Sequence, residues 1–261
     1  MSERARHPAA ATVIVVDVGN TSTAIGLYAG GRILRTGRLR TSLRSLRSCR
    51  AALRKVAGRA GVSGAVLSSV VPAANRLWLT ALRGLKKGIR IVKVNHRLDL
   101  GVPVSYPRPE AIGADRLANA CGASARYGLP VIVVDFGTAV TFDVVLPASG
   151  YVGGIIAPGL PLMFTYLHEK TALLPAIRPG PVKHAVGRST QEAMRLGAVW
   201  GYRGLVREIL AELRKGIGIP RAKVCATGGY ASWVVKGSGL GIPVDPDLTL
   251  FGLGRIFEMN P

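Results

Sequence analysis

The sequence is poor in cysteine and lacks long hydrophobic runs, and each shortage excludes a class of protein. Its three cysteines are far apart, odd in number and without CxxC spacing, which argues against a disulfide framework or a zinc site. We therefore expect a reducing, cytoplasmic setting. No apolar run approaches the roughly 18 residues of a membrane span. Residues 1–12 are polar and contain no secretory h-region, so residues 1–11 are predicted to be a disordered leader.

Acidic residues are also scarce, above all in the first part of the chain. The chain has 35 Lys and Arg against 14 Asp and Glu, a formal net charge of +21. No acidic residue lies between Asp17 and Asp99, a span with 17 basic residues, ten of them between Arg32 and Arg59. A basic surface attracts polyanions, but these residues have few aromatic neighbours and no helix-turn-helix, KH or RRM signature. A solvated basic face is the simpler interpretation, with incidental affinity for nucleic acid in either case.

One stretch of the chain occurs twice. Residues 13–21 read VIVVDVGNT and residues 131–138 read VIVVDFGT. Each copy predicts a buried strand whose carboxyl end carries an Asp into a tight glycine turn. Two further apolar runs with glycine-containing turns follow each copy, which is typical of a three-stranded meander. The duplication predicts two similar lobes.

Strand and helix patterns complete both lobes. The first reads βββαβαβ and the second βββαβα, with a long helix from about Thr190 to Lys215 after a Ser189 cap. With 48% apolar residues, a chain of 261 residues can form two packed cores. The predicted fold class is therefore α/β, with mixed sheets flanked by helices. We place the N-terminal lobe at residues 12–128, including a proline-rich loop, and the C-terminal lobe at residues 129–261.

The first Asp-x-Gly turn suits the binding of a phosphate. Gly19 lets the backbone approach phosphate oxygens, and Asn20, Thr21 and nearby amides can donate hydrogen bonds to them. The Asp17 carboxylate cannot face a phosphate unaided, which implies a bridging Mg²⁺ held through water.

The second turn and a later Thr-Gly-Gly turn extend this nucleotide pattern. Thr138 can bond a transferred phosphoryl group, and Gly228 and Gly229 leave room for the base and sugar. Single turns of this kind are weak signals, but the ordered set resembles the actin-like ATPase fold of sugar kinases and heat-shock ATPases. That resemblance implies two ribonuclease-H-like lobes.

Beyond these turns, the sequence resembles the type III pantothenate kinase family over nearly the whole chain. The box Gly113–Arg116 and the second turn with Thr138-Ala139 are specific to this family among actin-like ATPases. The other matching segments are DVGNT at 17–21, SSVVP at 68–72, GGIIAPG at 153–159, TALLP at 171–175, residues 187–197 and ATGG at 226–229. The resemblance implies ATP-dependent phosphorylation of pantothenate to 4'-phosphopantothenate, the first step of coenzyme A biosynthesis.

The resemblance also implies roles for individual residues. Asp115 would be the general base that accepts the hydroxyl proton late in an in-line transfer. Asp135 would bind a monovalent cation, potassium or ammonium. ATP, with Mg²⁺, would be bound by Asp17, Val18, Gly19, Asn20, Thr21, Ser22, Thr23, Ala24, Thr138, Gly228 and Gly229. Pantothenate would be bound by Tyr106, Gly113, Ala114, Asp115, Arg116 and Thr190.

Family members are homodimers, which suits the glycines at 197, 201 and 204 on the long predicted helix. Three features depart from the family pattern, and one of them is the pair Arg188-Ser189, where a bulkier or amide-bearing pair is expected. The helix after the first meander carries only basic charges, and Tyr106 is followed directly by Pro107, with Arg108 near the substrate entrance. Arg116 could bind the substrate carboxylate or pair with Asp115, and both options stay open.

Two other functions stay open as well. One is a nucleotide-binding regulator of the same fold that uses its basic surface on nucleic acid or a protein. The other is a kinase for a different small alcohol. The intact set of Asp17, Asp115, Asp135 and Thr138 favours pantothenate kinase, because a scaffold has no need of all four.

Overall fold

The computed structural model describes residues 11–43, 45–236 and 238–261, so the predicted leader, apart from Ala11, lies outside the described residues. These residues form two compact units. The first contains the described residues up to Gly101 together with Arg108–Gly122 and Thr249–Pro261. The second contains Val102–Pro107 and Ala123–Leu248.

Nine strands and seven α-helices are present in the described part of the chain. The strands are β1 (Val13–Val18), β2 (Ser22–Ala29), β3 (Arg32–Arg40), β4 (Gly64–Ser69), β5 (Arg90–Lys93), β6 (Val131–Phe136), β7 (Ala139–Leu146), β8 (Gly150–Pro158) and β9 (Lys223–Thr227). The helices are α1 (Leu46–Ala57), α2 (Pro72–Arg83), α3 (Ala114–Tyr127), α4 (Leu160–Glu169), α5 (Thr190–Gly216), α6 (Ala231–Val235) and α7 (Leu248–Met259). None of the helices described here is both long and apolar enough to cross a bilayer.

The predicted duplication is visible in the strands. β1, β2 and β3 contain 6, 8 and 9 residues, and β6, β7 and β8 contain 6, 8 and 9. The order of buried and half-buried positions is identical in β1 and β6, and also in β2 and β7. The register of the second strand shifts at the same point in both repeats, after Leu27 in β2 and after Val144 in β7. The α/β class with two duplicated lobes is confirmed.

In each sheet, the carboxyl ends of two parallel strands lie side by side. The first sheet has the order β3-β2-β1-β4-β5 and the second the order β8-β7-β6-β9. β1 runs parallel to β4, so Asp17 lies beside Ser68. β6 runs parallel to β9, so Asp135 lies beside Thr227. Carboxyl ends of parallel strands are where ligands bind in open α/β sheets, and both Asp-x-Gly turns lie there.

Side chains alternate between the two faces of β1 and β6, so the core residues and the Asp at the strand end lie on opposite faces. In β1, Ile14, Val16 and Val18 are fully buried in a core that includes α1 and α2 residues such as Trp78. In β6, the equivalent residues are buried in a second core formed with α4 and α5. Because successive side chains point to opposite faces, Asp17 projects from the face opposite the first core.

Two segments join a different unit from the one that their sequence position suggests. Residues 249–261, which the sequence places at the end of the second lobe, belong to the first unit. There Phe257 packs so closely on Gly64 that a Cβ would overlap its ring. The segment Val102–Pro107, from the proline-rich loop, belongs to the second unit, where the Tyr151 amide donates to the Pro103 carbonyl at 2.9 Å. Local sequence patterns do not encode such long-range pairings.

Candidate active site

In the first unit, the carboxylate of Asp17 is held by its neighbouring strand. The Ser68 hydroxyl donates to Asp17 Oδ1 at 2.7 Å. Asp17 is half-buried and Ser68 is fully buried. The hydrogen bond fixes one carboxylate oxygen, so the side chain is oriented before any ligand binds. Sequence reasoning assigned Ser68 no role, because its contact depends on the pairing of β1 with β4.

The turn after Asp17 is closed by its own backbone and by Thr41. The Gly19 amide donates to the Ser22 carbonyl at 3.1 Å, and the Thr41 hydroxyl donates to the Gly19 carbonyl at 2.7 Å. The Thr41 amide donates to the Thr21 carbonyl at 3.0 Å. Asn20 and Thr21 remain exposed at the tip, where their donors can meet phosphate oxygens. Thr41 was missed from sequence, because nothing local marks it.

The turn itself favours glycine at position 19. A Cβ at this position would lie 3.0 Å from the Ser22 carbonyl oxygen, which is closer than side-chain carbons normally approach. A side chain here would have to displace the Ser22 carbonyl by a few tenths of an ångström, so the turn favours glycine before any phosphate is considered. The absence of a side chain at Gly19 would also let a ligand approach the backbone closely.

The second unit repeats this turn after Asp135. The Gly137 amide donates to the Ala139 carbonyl at 3.0 Å, and the Gly159 amide donates to the Thr138 carbonyl at 3.0 Å. A Cβ on Gly159 would overlap the Thr138 carbonyl oxygen and come within 2.5 Å of the Gly137 carbonyl oxygen. Gly159 thus contacts the backbone of the second turn directly and holds Thr138 in position.

The Thr-Gly-Gly turn packs on the same carboxylate. Gly228 has a φ of +91°, which favours glycine, and a Cβ there would overlap Asp135 Oδ1 and lie 2.7 Å from the Phe136 backbone. The Tyr230 amide also donates to the Phe136 carbonyl at 3.1 Å. The sequence-predicted residues Asp135 and Gly228 are therefore in contact, while Gly229 is exposed.

Asp115 lies at the start of α3, next to the carboxyl end of the first sheet. A Cβ on Gly113 would overlap Asp115 Oδ1 and lie 3.5 Å from Val70. Val70 follows β4 directly, and its amide donates to the Val18 carbonyl at 3.1 Å. The first unit therefore gathers Asp17 and Asp115 at one sheet edge.

The electrostatic setting of Asp115 favours its neutral form. Burial raises the pKa of Asp115 above the ordinary range of an Asp, and this effect outweighs the hydrogen bonds and the positive charge that favour the ionised form. The Arg116 amide donates to Asp115 Oδ1 at 2.8 Å, and the Arg116 guanidinium attracts the carboxylate. Arg116 thus lies next to Asp115, and its two predicted roles stay predictions. A carboxylate with a raised pKa is a suitable proton acceptor.

Tyr106 lies in the second unit, against the start of β8. Its ring packs on Gly153, where a Cβ would come within 3.1 Å of it. Its centroid lies 6.2 Å from that of Tyr151, edge to face. The Tyr151 hydroxyl donates to the buried Asp143 carboxylate at 3.1 Å. The ring of Tyr106 is thus supported from behind, while part of it remains exposed.

Thr190 is the first residue of α5 and is exposed. The predicted Ser189 cap is confirmed, since its hydroxyl accepts from the Glu192 amide at 3.2 Å. The Glu192 carboxylate, instead of closing a capping box, accepts from the Arg188 amide at 2.9 Å. Both bonds order the helix start that carries Thr190.

The donor set suits a metal ion that takes few protein ligands. No group of three or more His, Cys, Asp or Glu side chains gathers within the described ranges. Mg²⁺ commonly keeps its waters and binds one or two carboxylates together with substrate phosphates. The oriented carboxylate of Asp17, beside a turn of exposed donors, fits that requirement.

Comparison of the sequence with known proteins gives one consistent family description. A family model described as Type III pantothenate kinase matches residues 13–212. A Type III pantothenate kinase from Acidiphilium cryptum is 40% identical over 257 residues, covering 95% of each chain. One from Methylacidiphilum infernorum is 38% identical over 95% of this chain and 88% of its own length. One from Akkermansia muciniphila is 55% identical over 65% of this chain and 72% of its own length.

Solved structures support the fold alone. A crystal structure from Campylobacter jejuni, described as a putative Baf family transcriptional activator, has a TM-score of 0.59 and 18% identity over 94% of this chain and 97% of its own. Component A of (R)-2-hydroxyglutaryl-CoA dehydratase from Acidaminococcus fermentans has a TM-score of 0.55 and 15% identity over 95% and 97%.

Proposed function

Because this chain belongs to the type III pantothenate kinase family, we propose that it transfers a phosphoryl group from ATP to the primary hydroxyl of pantothenate. The product, 4'-phosphopantothenate, would enter coenzyme A biosynthesis. The observation that carries the proposal is the position of Asp115, whose pKa burial raises, at the sheet edge that also holds Asp17. A base beside a phosphate-type turn is the arrangement that phosphoryl transfer to an alcohol requires.

Asp115 acts as the general base in this proposal. An alcohol proton is too weakly acidic to leave first, so Asp115 accepts it as the new P–O bond forms. Arg116 limits the rise in the Asp115 pKa, which keeps the carboxylate available for the proton. Most of the rate comes from positioning and charge neutralisation, as is usual for phosphoryl transfer.

The two glycine turns would hold the nucleotide. In the first unit, the backbone amides and hydroxyls of residues 17–24 contact phosphate oxygens. In the second unit, Thr138 contacts ATP, and Gly228–Gly229 accommodate its base and sugar. Asp17 would hold Mg²⁺ through water, and that ion supplies neutralisation of phosphate charge when bound.

Asp135 would bind a monovalent cation, potassium or ammonium. Its contact with Gly228 supports this role, because a Cβ at that position would overlap Oδ1 and crowd the carboxylate. Pantothenate would be bound by residues 113–116, Tyr106 and Thr190. The supported ring of Tyr106 offers an apolar surface with a polar tip.

The direct test is an assay of ADP release by the full chain with ATP and Mg²⁺. We expect turnover that requires pantothenate and rises severalfold on addition of potassium or ammonium, with sodium as the matched control. ADP release without pantothenate would exclude this assignment. Release that requires a different small alcohol would favour the alternative kinase. Equal rates in sodium and potassium would exclude the cation role of Asp135.

We also propose a homodimer formed through the faces of α4 and α5. On α5, Gly197, Trp200, Gly201 and Gly204 are exposed on one side, and no atom lies within 4 Å of a Cβ built on any of these glycines. Trp200 is 53% exposed and Tyr166 of the adjoining helix α4 is 63% exposed. Large exposed apolar patches mark association sites, and glycines let two helices approach closely.

Replacing Trp200 with Glu is expected to convert the dimer to a monomer, because it places a charge in a desolvated contact. Light scattering after size exclusion should show the mass halved. Leu34→Glu is the matched control, since Leu34 is an exposed apolar residue of the first unit. A parent protein that is already monomeric, or a W200E variant that stays dimeric, would contradict this interface.

A further inference from the structure

The edge strand β3 carries arginines on both of its faces. A Cβ on Gly37 would lie 2.7 Å from Val56 of α1, and Leu39 packs on the first core. Residues 37 and 39 therefore point to the core side of the sheet. Because side chains alternate along a strand, Arg38 and Arg40 point to the opposite side, and both are exposed.

That opposite side is the one from which Asp17 projects. In the register of the sheet, Ser68 pairs with Asp17, Asp17 with Ala24, and Ala24 with Arg38. Directly paired residues share a face, and the hydrogen bond between the side chains of Ser68 and Asp17 shows that these two do.

Arg40 lies two residues further along β3 than Arg38 and therefore points to the same face. It pairs with Ser22, the first residue after the phosphate-type turn. Adjacent strands lie about 4.8 Å apart, so the Cα atoms of Asp17 and Arg38 are separated by roughly 10 Å. The long side chains of Arg38 and Arg40 can cover that distance towards a ligand on the turn.

The two guanidinium groups have no acidic partner in the part of the chain that the structure describes. Arg35 shows the contrast, because it lies on the core side and its guanidinium donates to the Ala57 carbonyl at 3.3 Å. Arg35 thus has a structural contact, whereas Arg38 and Arg40 present their charge to solvent beside the turn.

We propose that Arg38 and Arg40 bind the phosphates of ATP from the open side of the first turn. The proposal rests on the proposed function, because it assumes that this turn holds the phosphates. Arginine suits the task, since its planar fork of donors matches phosphate oxygens and stays charged. Asp17 is the one carboxylate in this row, and no acidic residue lies between Asp17 and Asp99 in the sequence to compete for the two arginines.

The test measures the affinity of the full chain for ATP with Mg²⁺ by calorimetry, without pantothenate. The Arg38→Gln/Arg40→Gln variant is expected to raise the Kd about 10-fold or more. The control is Arg32→Gln/Arg47→Gln, which removes two exposed charges from the far end of β3 and from α1. The control should change the Kd by no more than about twofold, because exposed charges at a distance are screened.

Steady-state kinetics distinguish the ligand. The KM for ATP should rise while the KM for pantothenate stays within twofold. Equal Kd changes in the two double variants would overturn the proposal and leave a solvated basic face. A rise confined to the KM for pantothenate would also overturn it, because the arginines would then serve the substrate carboxylate.

Folding is checked by thermal unfolding of each variant without nucleotide. If the Gln variant does not fold, Arg38→Lys/Arg40→Lys keeps the charge but removes the fork, and it should still raise the Kd severalfold. Loss of ATP affinity in a protein that does not phosphorylate pantothenate would refute the proposed substrate and leave this inference standing.

Discussion

Replacing Asp115 with Asn is expected to lower kcat by about 10²- to 10⁴-fold, the usual contribution of a general base. Asn has the same shape and can still accept the hydrogen bond from the Arg116 amide, so affinity for ATP should change little. The matched control is Glu110→Gln, which removes an exposed carboxylate from the same unit and should leave kcat within twofold. A D115N variant with parental kcat would remove Asp115 from the mechanism.

The pH dependence follows from the raised pKa of Asp115. Catalysis requires the ionised carboxylate, so kcat/KM should fall as pH drops through this pKa, at a higher pH than an ordinary Asp would cause. The residual activity of D115N should lack this step. A pH profile that is identical in parent and variant would assign the step to another group.

The D115N variant should lose activity but keep or gain stability. A folded-state pKa above the unfolded value means that the folded state binds more protons, so ionised Asp115 costs stability above the unfolded pKa. Asn removes that cost, and the urea midpoint at neutral pH should be unchanged or higher. A lower midpoint in the variant would show that the ionised carboxylate stabilises the fold.

Replacing Gly228 with Ala is expected to destabilise the second unit by about 3 kcal/mol or more, at the upper end of single substitutions. The new Cβ would overlap Asp135 Oδ1 and crowd the Phe136 backbone, at a φ of +91°. The turn after Asp135 must therefore move. ATP affinity should fall with it, because Thr138 lies on that turn.

Gly241→Ala separates backbone strain from this crowding. Gly241 has a φ of +61° and no atom within 4 Å of a Cβ built on it. It should lose only about 1–2 kcal/mol, the cost of a left-handed conformation for a residue with a side chain. Urea unfolding of both variants gives the comparison. Equal losses would mean that the contact of Gly228 with Asp135 is unimportant.

Much of the candidate site could be predicted from local sequence patterns. Asp17, Asp135 and the two glycine turns follow apolar runs of strand length, and the strand-turn rules place them at strand ends. The duplication was equally local, since both copies repeat the same order of apolar and glycine residues. The Ser189 cap could be predicted because capping involves residues only three positions apart.

Other residues of the site could not be predicted from local sequence, because their contacts join segments far apart in the chain. Thr41 closes the first turn through the register of β3, and Ser68 orients Asp17 through the pairing of β1 with β4. Arg38 is one of many arginines in the sequence. Only the alternation of β3 distinguishes its face from that of Arg35.

The sequence by itself determined two strand-turn repeats with carboxylates at their ends, because hydrophobic periodicity and glycine turns are local properties. Only the tertiary structure decided which residues support those carboxylates and which arginines share their face. The unit to which residues 249–261 belong was decided in the same way. Sheet register and helix packing bring together positions far apart in the chain, and no local pattern specifies them.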